Sequence, residues 1–308
     1  MLRRALLAAA ASGNIRRMIM AAPQTRAIVA RYVAGEATAD AVRVTRTLRG
    51  TGLLVSLDHL GEDTTEPQHA AAVADEYVRL LGDLSAAGLA SAGAAEVSVK
   101  PTAVGLFLPD AGEKTATANI GRICAAARNA GTTVTLDAED HTAVGATLRI
   151  AEELRAEFGG LGCVVQARLR RSADDCRHLA RAGVRVRLCK GAYDEPAEAA
   201  YTTRRDVDRS YARCMRLLMD GPGYPMIATH DPRLIEIAAA LARLSGRPPG
   251  SFEYQMLHGI RPDEQRRLAG TGARVRVYVP YGSDWYGYLV RRLAERPGNL
   301  AFFLRSLF

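Results

Sequence analysis

A chain of 308 residues, 48% of them hydrophobic, can bury a sizeable core as one large domain or two smaller ones. Its net charge of +8 is scattered in RR and RxR pairs, without a lysine-rich tail or an aromatic-interleaved basic block. That pattern argues against nucleic acid and leaves an anionic substrate or an anionic membrane face as partners. The five cysteines, Cys124, Cys163, Cys176, Cys189 and Cys214, are odd in number and contain no CxxC pair, so they read as small buried side chains in a reducing compartment.

Taken in chain order, residues 1–45 read as an N-terminal helical arm, rich in Ala, Leu, Arg and Met and free of strand-like alternation. The opening MLRRALLAAAASG has the basic and apolar regions of a secretory signal. An amphipathic helix is expected instead, because Arg16, Arg17, Arg26 and Arg31 continue the basic pattern and nothing downstream resembles a disulfide framework. No apolar run reaches the ~18 residues that span a bilayer.

Residues 46–308 repeat one pattern: a short β-branched run, a polar residue at its end, then a longer amphipathic stretch. Strands are expected at 53–58, 96–100, 132–137, 163–167, 184–189, 226–230, 251–255 and 273–278, with helices at 68–87, 141–157, 174–182, 207–219 and 233–244. Alternating strands and helices imply parallel pairing through crossovers. Eight such units predict an α/β fold, a distorted (β/α)8 TIM-like barrel preceded by N-terminal helices. A doubly wound sheet competes less well, since the GGLG at 159–162 precedes a strand, whereas the dinucleotide-binding glycines must follow one.

Active sites of such barrels form where strands end. The expected strand ends are unusually polar: Asp58 with His59, Lys100, Asp137 with Glu139, Gln166 with Arg168, Arg187 with Lys190, His230 with Asp231, Glu253 with Gln255, and Tyr278. Near the C-terminus, Tyr288, Arg291, Arg292 and Glu295 fall on one helical face, where two guanidinium forks suit a small carboxylic acid and Glu295 could brace them. The same face would equally serve as a solvated helix surface stabilised by its own charge pairs. Metal binding is not expected, because His59, His230 and His258 lie on different units and no HExxH or HxH spacing occurs. A donor-rich mouth of this kind suits a phosphate-bearing cofactor together with a small anion.

The motifs SVKPTAVG (98–105), TLDAEDHT (135–142), VVQARLRR (164–171), RLCKGAY (187–193), ATHD (228–231), FEYQMLHG (252–259) and RVYVPYGSDWYGYLVRRLAERPGN resemble the flavin-dependent proline dehydrogenases, from about residue 45 to the C-terminus. The resemblance is to the short monofunctional bacterial form, without the aldehyde dehydrogenase module fused to it in some bacteria. It implies FAD-dependent oxidation of L-proline to Δ1-pyrroline-5-carboxylate, the first step of proline catabolism. Electrons would pass to a membrane quinone, and an aldehyde dehydrogenase is an implied partner. The implied setting is cytoplasmic, with peripheral contact at the inner face of the membrane. By the same resemblance, Lys100, Arg291 and Arg292 hold the proline carboxylate, Tyr278, Leu257 and Tyr288 line the ring, Glu295 braces the arginines, and Asp137 lies near Lys100 and Tyr278. Gln166, Arg168, Arg187, Lys190, Gly191, Tyr193, Thr229 and His230 match flavin-contacting positions, with Arg187 toward the isoalloxazine N5. Many relatives have THN where this chain has THD, which leaves the role of Asp231 toward the cofactor open.

Two other readings remain at this point. Lys100 and Lys190 at strand ends would suit a class I Schiff-base aldolase of a small carboxylic acid. The basic N-terminal helix would suit a non-enzymatic membrane-surface adaptor.

Overall fold

The computed structural model describes residues 29–288. Its centre is a closed ring of eight parallel strands in chain order: β1 (Leu54–His59), β2 (Ala95–Val99), β3 (Val134–Leu136), β4 (Gly162–Gln166), β5 (Arg185–Cys189), β6 (Tyr224–Ala228), β7 (Glu253–Leu257) and β8 (Val275–Tyr281). Helix α1 (Thr38–Gly50) precedes the ring. Each of the first seven strands is followed by a helix: α2 (Pro67–Ala86), α3 (Gly112–Asn129), α4 (Val144–Arg155), α5 (Ser172–Arg181), α6 (Arg204–Asp220), α7 (Pro232–Leu244) and α8 (Pro262–Gly270). The (β/α)8 barrel expected from the alternating pattern is therefore the fold.

The local chemistry accounts for these elements. Proline stands in the first turn of α2, α7 and α8, where its missing N–H would be unpaired anyway. The Thr203 hydroxyl accepts from the Asp206 N–H to cap α6, and the Asp231 carboxylate accepts from the Arg233 N–H to cap α7. Along α2, Ala70, Val73, Ala74, Tyr77, Leu80, Leu81 and Leu84 recur at helical spacing and are buried against the sheet. Leu57, Leu80 and Ile120 are fully enclosed in this helix–sheet layer, each contributing about 1.5–3 kcal/mol of burial.

Inside the ring the packing differs from the usual layers of branched aliphatics. Glu96, Arg187, Glu253 and Arg276 all point inward and are at most 4% exposed. Arg276 pairs with Glu253 at 2.6 Å and approaches Glu96 at 3.7 Å, while Arg185 reaches Glu96 at 2.7 Å. Burial alone would push Glu96 up, but Arg276, Arg185 and Arg187 more than offset it and hold its carboxyl at about 2. Each interior charge is thus matched by an opposite one, the condition under which charges are retained in a dry core.

The structure refines the expected boundaries. β6 starts at Tyr224 and stops at Ala228, which releases Thr229 and His230 into the loop above the ring. β8 continues past Tyr278 through Pro280 to Tyr281, pairing with β1 from Arg276 to Tyr281. Helices α3 and α8 fall outside the segments expected to be helical. The boundary expected at residues 45/46 lies inside α1. The segment before α1 is stitched to the end of β8: the Ala34 N–H donates to the Pro280 carbonyl (2.9 Å), and the Gly282 N–H to the Gly35 carbonyl (3.0 Å). Gly259 packs there so closely, at φ +73°, that a Cβ would lie 1.9 Å from the Arg31 carbonyl oxygen.

Candidate active site

A cavity of 1290 Å³ opens at the C-terminal ends of the strands. Its inner end is built by four neighbouring positions. Asp58 comes from β1, Lys100 and Asp137 directly follow β2 and β3, and Tyr278 lies within β8. Lys100 Nζ donates to Asp58 Oδ1 at 2.6 Å and lies 3.9 Å from Asp137 Oδ2. Asp137 Oδ1 accepts from Ser98 Oγ (2.9 Å) and Arg187 Nη1 (2.8 Å), and its Oδ2 accepts from the Tyr278 hydroxyl (2.7 Å).

Burial raises Asp58 most; Lys100 opposes that, Asp137 adds to it, and the carboxyl ends at about 6. For Lys100 burial acts downward, yet the carboxylates of Asp58 and Asp137 outweigh it and hold the amine above the ordinary lysine value. Tyr278 is pushed well up, first by burial and then by Asp137, and stays a hydrogen-bond donor.

Arg187, 4% exposed, forms the floor. Its guanidinium donates to Gln255 Oε1 (2.5 Å), Ser98 Oγ (2.7 Å), Asp137 Oδ1 (2.8 Å) and Ser56 Oγ (2.9 Å), and lies 5.2 Å from the centroid of the Tyr278 ring. With its N–H groups committed on several sides, the group cannot swing. Leu257, at the end of β7, and Tyr288 complete this end of the cavity.

The outer arm lies over β4, β5 and β6. Gln166 and Gly191 pack together in its wall, and Gly191 adopts φ +98° with space so tight that a Cβ would sit 3.1 Å from Gln166 Oε1. Lys190 pairs with Asp208 (2.5 Å) and lies 3.7 Å from Asp231, which Arg233 also holds at 2.8 Å. Asp231, the residue that departs from the THN pattern, is therefore a helix cap and a partner for two cations. Its carboxyl is held at about 2, first by Arg233. His230 Nε2 accepts from the Leu257 N–H (2.9 Å), which fixes a neutral ring protonated at Nδ1. Thr229 and Tyr193 also line this arm.

Of the described residues that the resemblance places in the site, all but Arg168 line the one cavity, whereas the strand-end residues His59, Glu139 and Glu253 do not. Arg168 stands behind its wall, donating from Nη1 to the Tyr193 carbonyl (2.9 Å), while its buried Nε has no partner. Arg291, Arg292 and Glu295 lie outside the described residues. The structure adds Asp58 as a partner of Lys100. It also adds Arg204, Arg205, Asp208, Arg209 and Arg233 around the outer arm, which with Lys190 and Asp231 place five cations against two carboxylates. The run RRDVDR at the start of α6 was the available signal for that patch.

Among the described residues no group of His, Cys, Asp or Glu could hold a metal ion, and no helix is long and apolar enough to cross a membrane. The fold and cavity together define a (β/α)8-barrel enzyme, with a fixed charge cluster at one end of its mouth and a cationic arm at the other. The family model described as "Proline dehydrogenase" matches residues 41–305. The chain belongs to the proline dehydrogenase family, a family of oxidoreductases. It is 38% identical over 283 residues to "Proline dehydrogenase 1" of Bacillus subtilis, covering 92% of this chain and 91% of that one. It is 39% identical over 279 residues to "Proline dehydrogenase" of Deinococcus radiodurans, covering 90% and 89%. Among solved structures, proline utilization A (PutA) from Bdellovibrio bacteriovorus inactivated by N-propargylglycine is similar at a TM-score of 0.80 and 26% identity, over 87% of this chain. The match spans 32% of that longer chain. Proline utilization A from Bradyrhizobium japonicum shares the fold at a TM-score of 0.71 and 22% identity, over 92% of this chain and 32% of that one.

Proposed function

We propose that the chain oxidises L-proline to Δ1-pyrroline-5-carboxylate with FAD, the opening step of proline catabolism. One observation carries this reading: a single cavity joins a Lys100–Asp58–Asp137–Tyr278 cluster, whose charges suit a small zwitterion, to a cationic arm suited to a large anionic cofactor.

The residues present fit FAD. The arm is lined by Lys190, Arg204, Arg205, Arg209 and Arg233, a donor set matched to the charge of a pyrophosphate, and Gln166, Thr229 and His230 offer polar edges for the rest of the cofactor. Gln166, Arg187, Lys190, Gly191, Tyr193, Thr229 and His230 would hold it, with Arg168 and Asp231 behind them. When bound, FAD supplies the acceptor, at its N5, for the hydride leaving proline C5, and a membrane quinone is the proposed onward acceptor.

The chain's own part is binding, orientation and proton control. Lys100, with Arg291 and Arg292 braced by Glu295, grips the substrate carboxylate. Tyr278, Leu257 and Tyr288 press the ring into one orientation, which converts binding into alignment of the reacting carbon. The cations around the carboxylate lower the pKa of the substrate amine and favour the neutral form that can be oxidised. Arg187, immobilised by Gln255, Ser98 and Ser56, keeps a positive charge on the floor of the site. The aldolase reading loses support, because Lys100 is paired with Asp58 and held as an ammonium ion, and Lys190 is paired with Asp208.

The test is the visible spectrum of the purified, FAD-loaded protein under anaerobic conditions. L-Proline should bleach the oxidised-flavin band at a rate that saturates with proline. A spectrum unchanged by proline would overturn the proposal.

A further inference from the structure

We infer that Asp58 is a positioning residue for the substrate carboxylate, holding the Lys100 ammonium at one point of the barrel mouth so that the anion meets a fixed cation. The inference rests on the reading of the inner end as the proline site.

A lysine ammonium sits on a flexible four-carbon stem, so its aim has to be set by something rigid. Asp58 qualifies: it lies within β1, registered with Ser98 of β2 and Pro280 of β8, and is 1% exposed. Its Oδ1 is 2.6 Å from Lys100 Nζ. The other carboxylate in reach, Asp137, is 3.9 Å away and already accepts from Ser98, Arg187 and Tyr278. Without the charge on Asp58, Lys100 would fall toward Asp137 and compete with the Tyr278 hydroxyl for Oδ2. One lost contact would then misdirect both a carboxylate-binding cation and a ring-wall side chain.

A dependence on acid follows. The groups around Asp58 are Lys100 from β2, Asp137 from β3, Tyr278 and Tyr281 from β8, Tyr77 from α2 and His59 beside it on β1. Burial holds His59 at about 4 and keeps Tyr77, Tyr278 and Tyr281 well above their ordinary values, so these four do not change charge near pH 6. Asp58, at about 6, takes up a proton there, and Lys100 is released; Glu139, at about 7 and in the field of Lys100, titrates nearby in the wild type and in an Asp58→Asn variant alike, so a step missing from the variant belongs to Asp58.

The experiment measures binding of tetrahydrofuran-2-carboxylate, a proline isostere without an oxidisable amine, to the FAD-loaded protein, together with KM and kcat for proline. Asp58→Asn should raise the Kd of the analogue and the KM for proline by about tenfold, an effect of the size found for directly paired side chains. kcat should change less, and FAD should remain bound. Wild-type affinity should weaken as pH falls through about 6, and the Asn variant should lack that step. In a Lys100→Met background Asp58→Asn should cost nothing further, because the group it positions is gone. An Asn variant with wild-type Kd and pH profile, or one that loses as much again in the Lys100→Met background, overturns the inference. Should Asp58→Asn not fold, Lys100→Met carries the test: loss of the acid step there supports the inference, and its persistence overturns it. A wild-type protein that fails to bind the analogue at any pH overturns the proposed function and this inference with it.

Discussion

At the scale of single residues, the site is defined as much by what is missing as by what is charged. Gly191 follows Lys190 with φ +98°, a conformation costing an L-residue about 1–3 kcal/mol, and its missing side chain lets Gln166 and Arg168 pack directly against its backbone. Gly191→Ala would strain the backbone and press a methyl group against Gln166 and Arg168, displacing two side chains of the proposed cofactor wall. The expected result is a folded protein whose FAD affinity is lower by roughly tenfold or more, read by fluorescence titration of the apoprotein; unaltered affinity would remove Gly191 from the cofactor site. Arg187 shows the opposite strategy, since its position is enforced by hydrogen-bond partners on β1, β2, β7 and the β3 end.

At the scale of elements, the loops above the strands are tied to one another as well as to the barrel. Glu139, beyond β3, accepts from the Thr102 N–H at 3.0 Å and from its hydroxyl, fastening the segment after β2 to the segment after β3. Gln166 Nε2 donates to the Glu139 carbonyl (2.6 Å), which extends the tie to β4. Burial outweighs the Thr102 bonds and pushes Glu139 up to about 7. Since the folded value lies above the ordinary carboxyl value, the stability linked to its proton is complete below about pH 4.5 and is lost as pH rises through about 7. Glu139→Gln should abolish that loss, on the order of 3 kcal/mol, so Tm against pH should be flatter for the variant than for the wild type. A wild-type Tm that does not fall across this window would contradict the assignment.

The strands and their polar ends were legible because β-branched runs ending in Asp, Lys, Gln or Arg carry a signal that needs no partner. Helix α3 was not, since GEKTATANIGRICAAARN mixes Gly, Thr and Asn into its period. The pairing of Lys100 with Asp58 was also hidden, because it joins two strands 42 residues apart in the chain. The RRDVDR patch was readable as charge but not as a wall of the cavity, since only the fold places the start of α6 beside the end of β6.

At the scale of the whole molecule, the barrel is held shut from inside by charge as well as by aliphatic packing. Arg276 of β8 pairs with Glu253 of β7 and donates to the Val55 carbonyl of β1 (2.9 Å) and the Gly93 carbonyl before β2 (3.1 Å). Arg276→Met would leave Glu253 enclosed without its close cation, at a cost of about 3–5 kcal/mol. The expected outcome is a clear downward shift of the denaturation midpoint in urea; a shift near zero would mean that the interior relaxes or takes up water around Glu253. The β1–β8 seam that Arg276 spans has six registered pairs, and the Arg276–Val55 contact joins residues 221 apart. A ribosome therefore delivers β1 long before its second neighbour exists, and through most of synthesis that strand presents a row of unpaired N–H and C=O groups. The ring cannot close until β8 has been made, which makes the growing chain, rather than the closed barrel, the form exposed to aggregation and in need of chaperone cover.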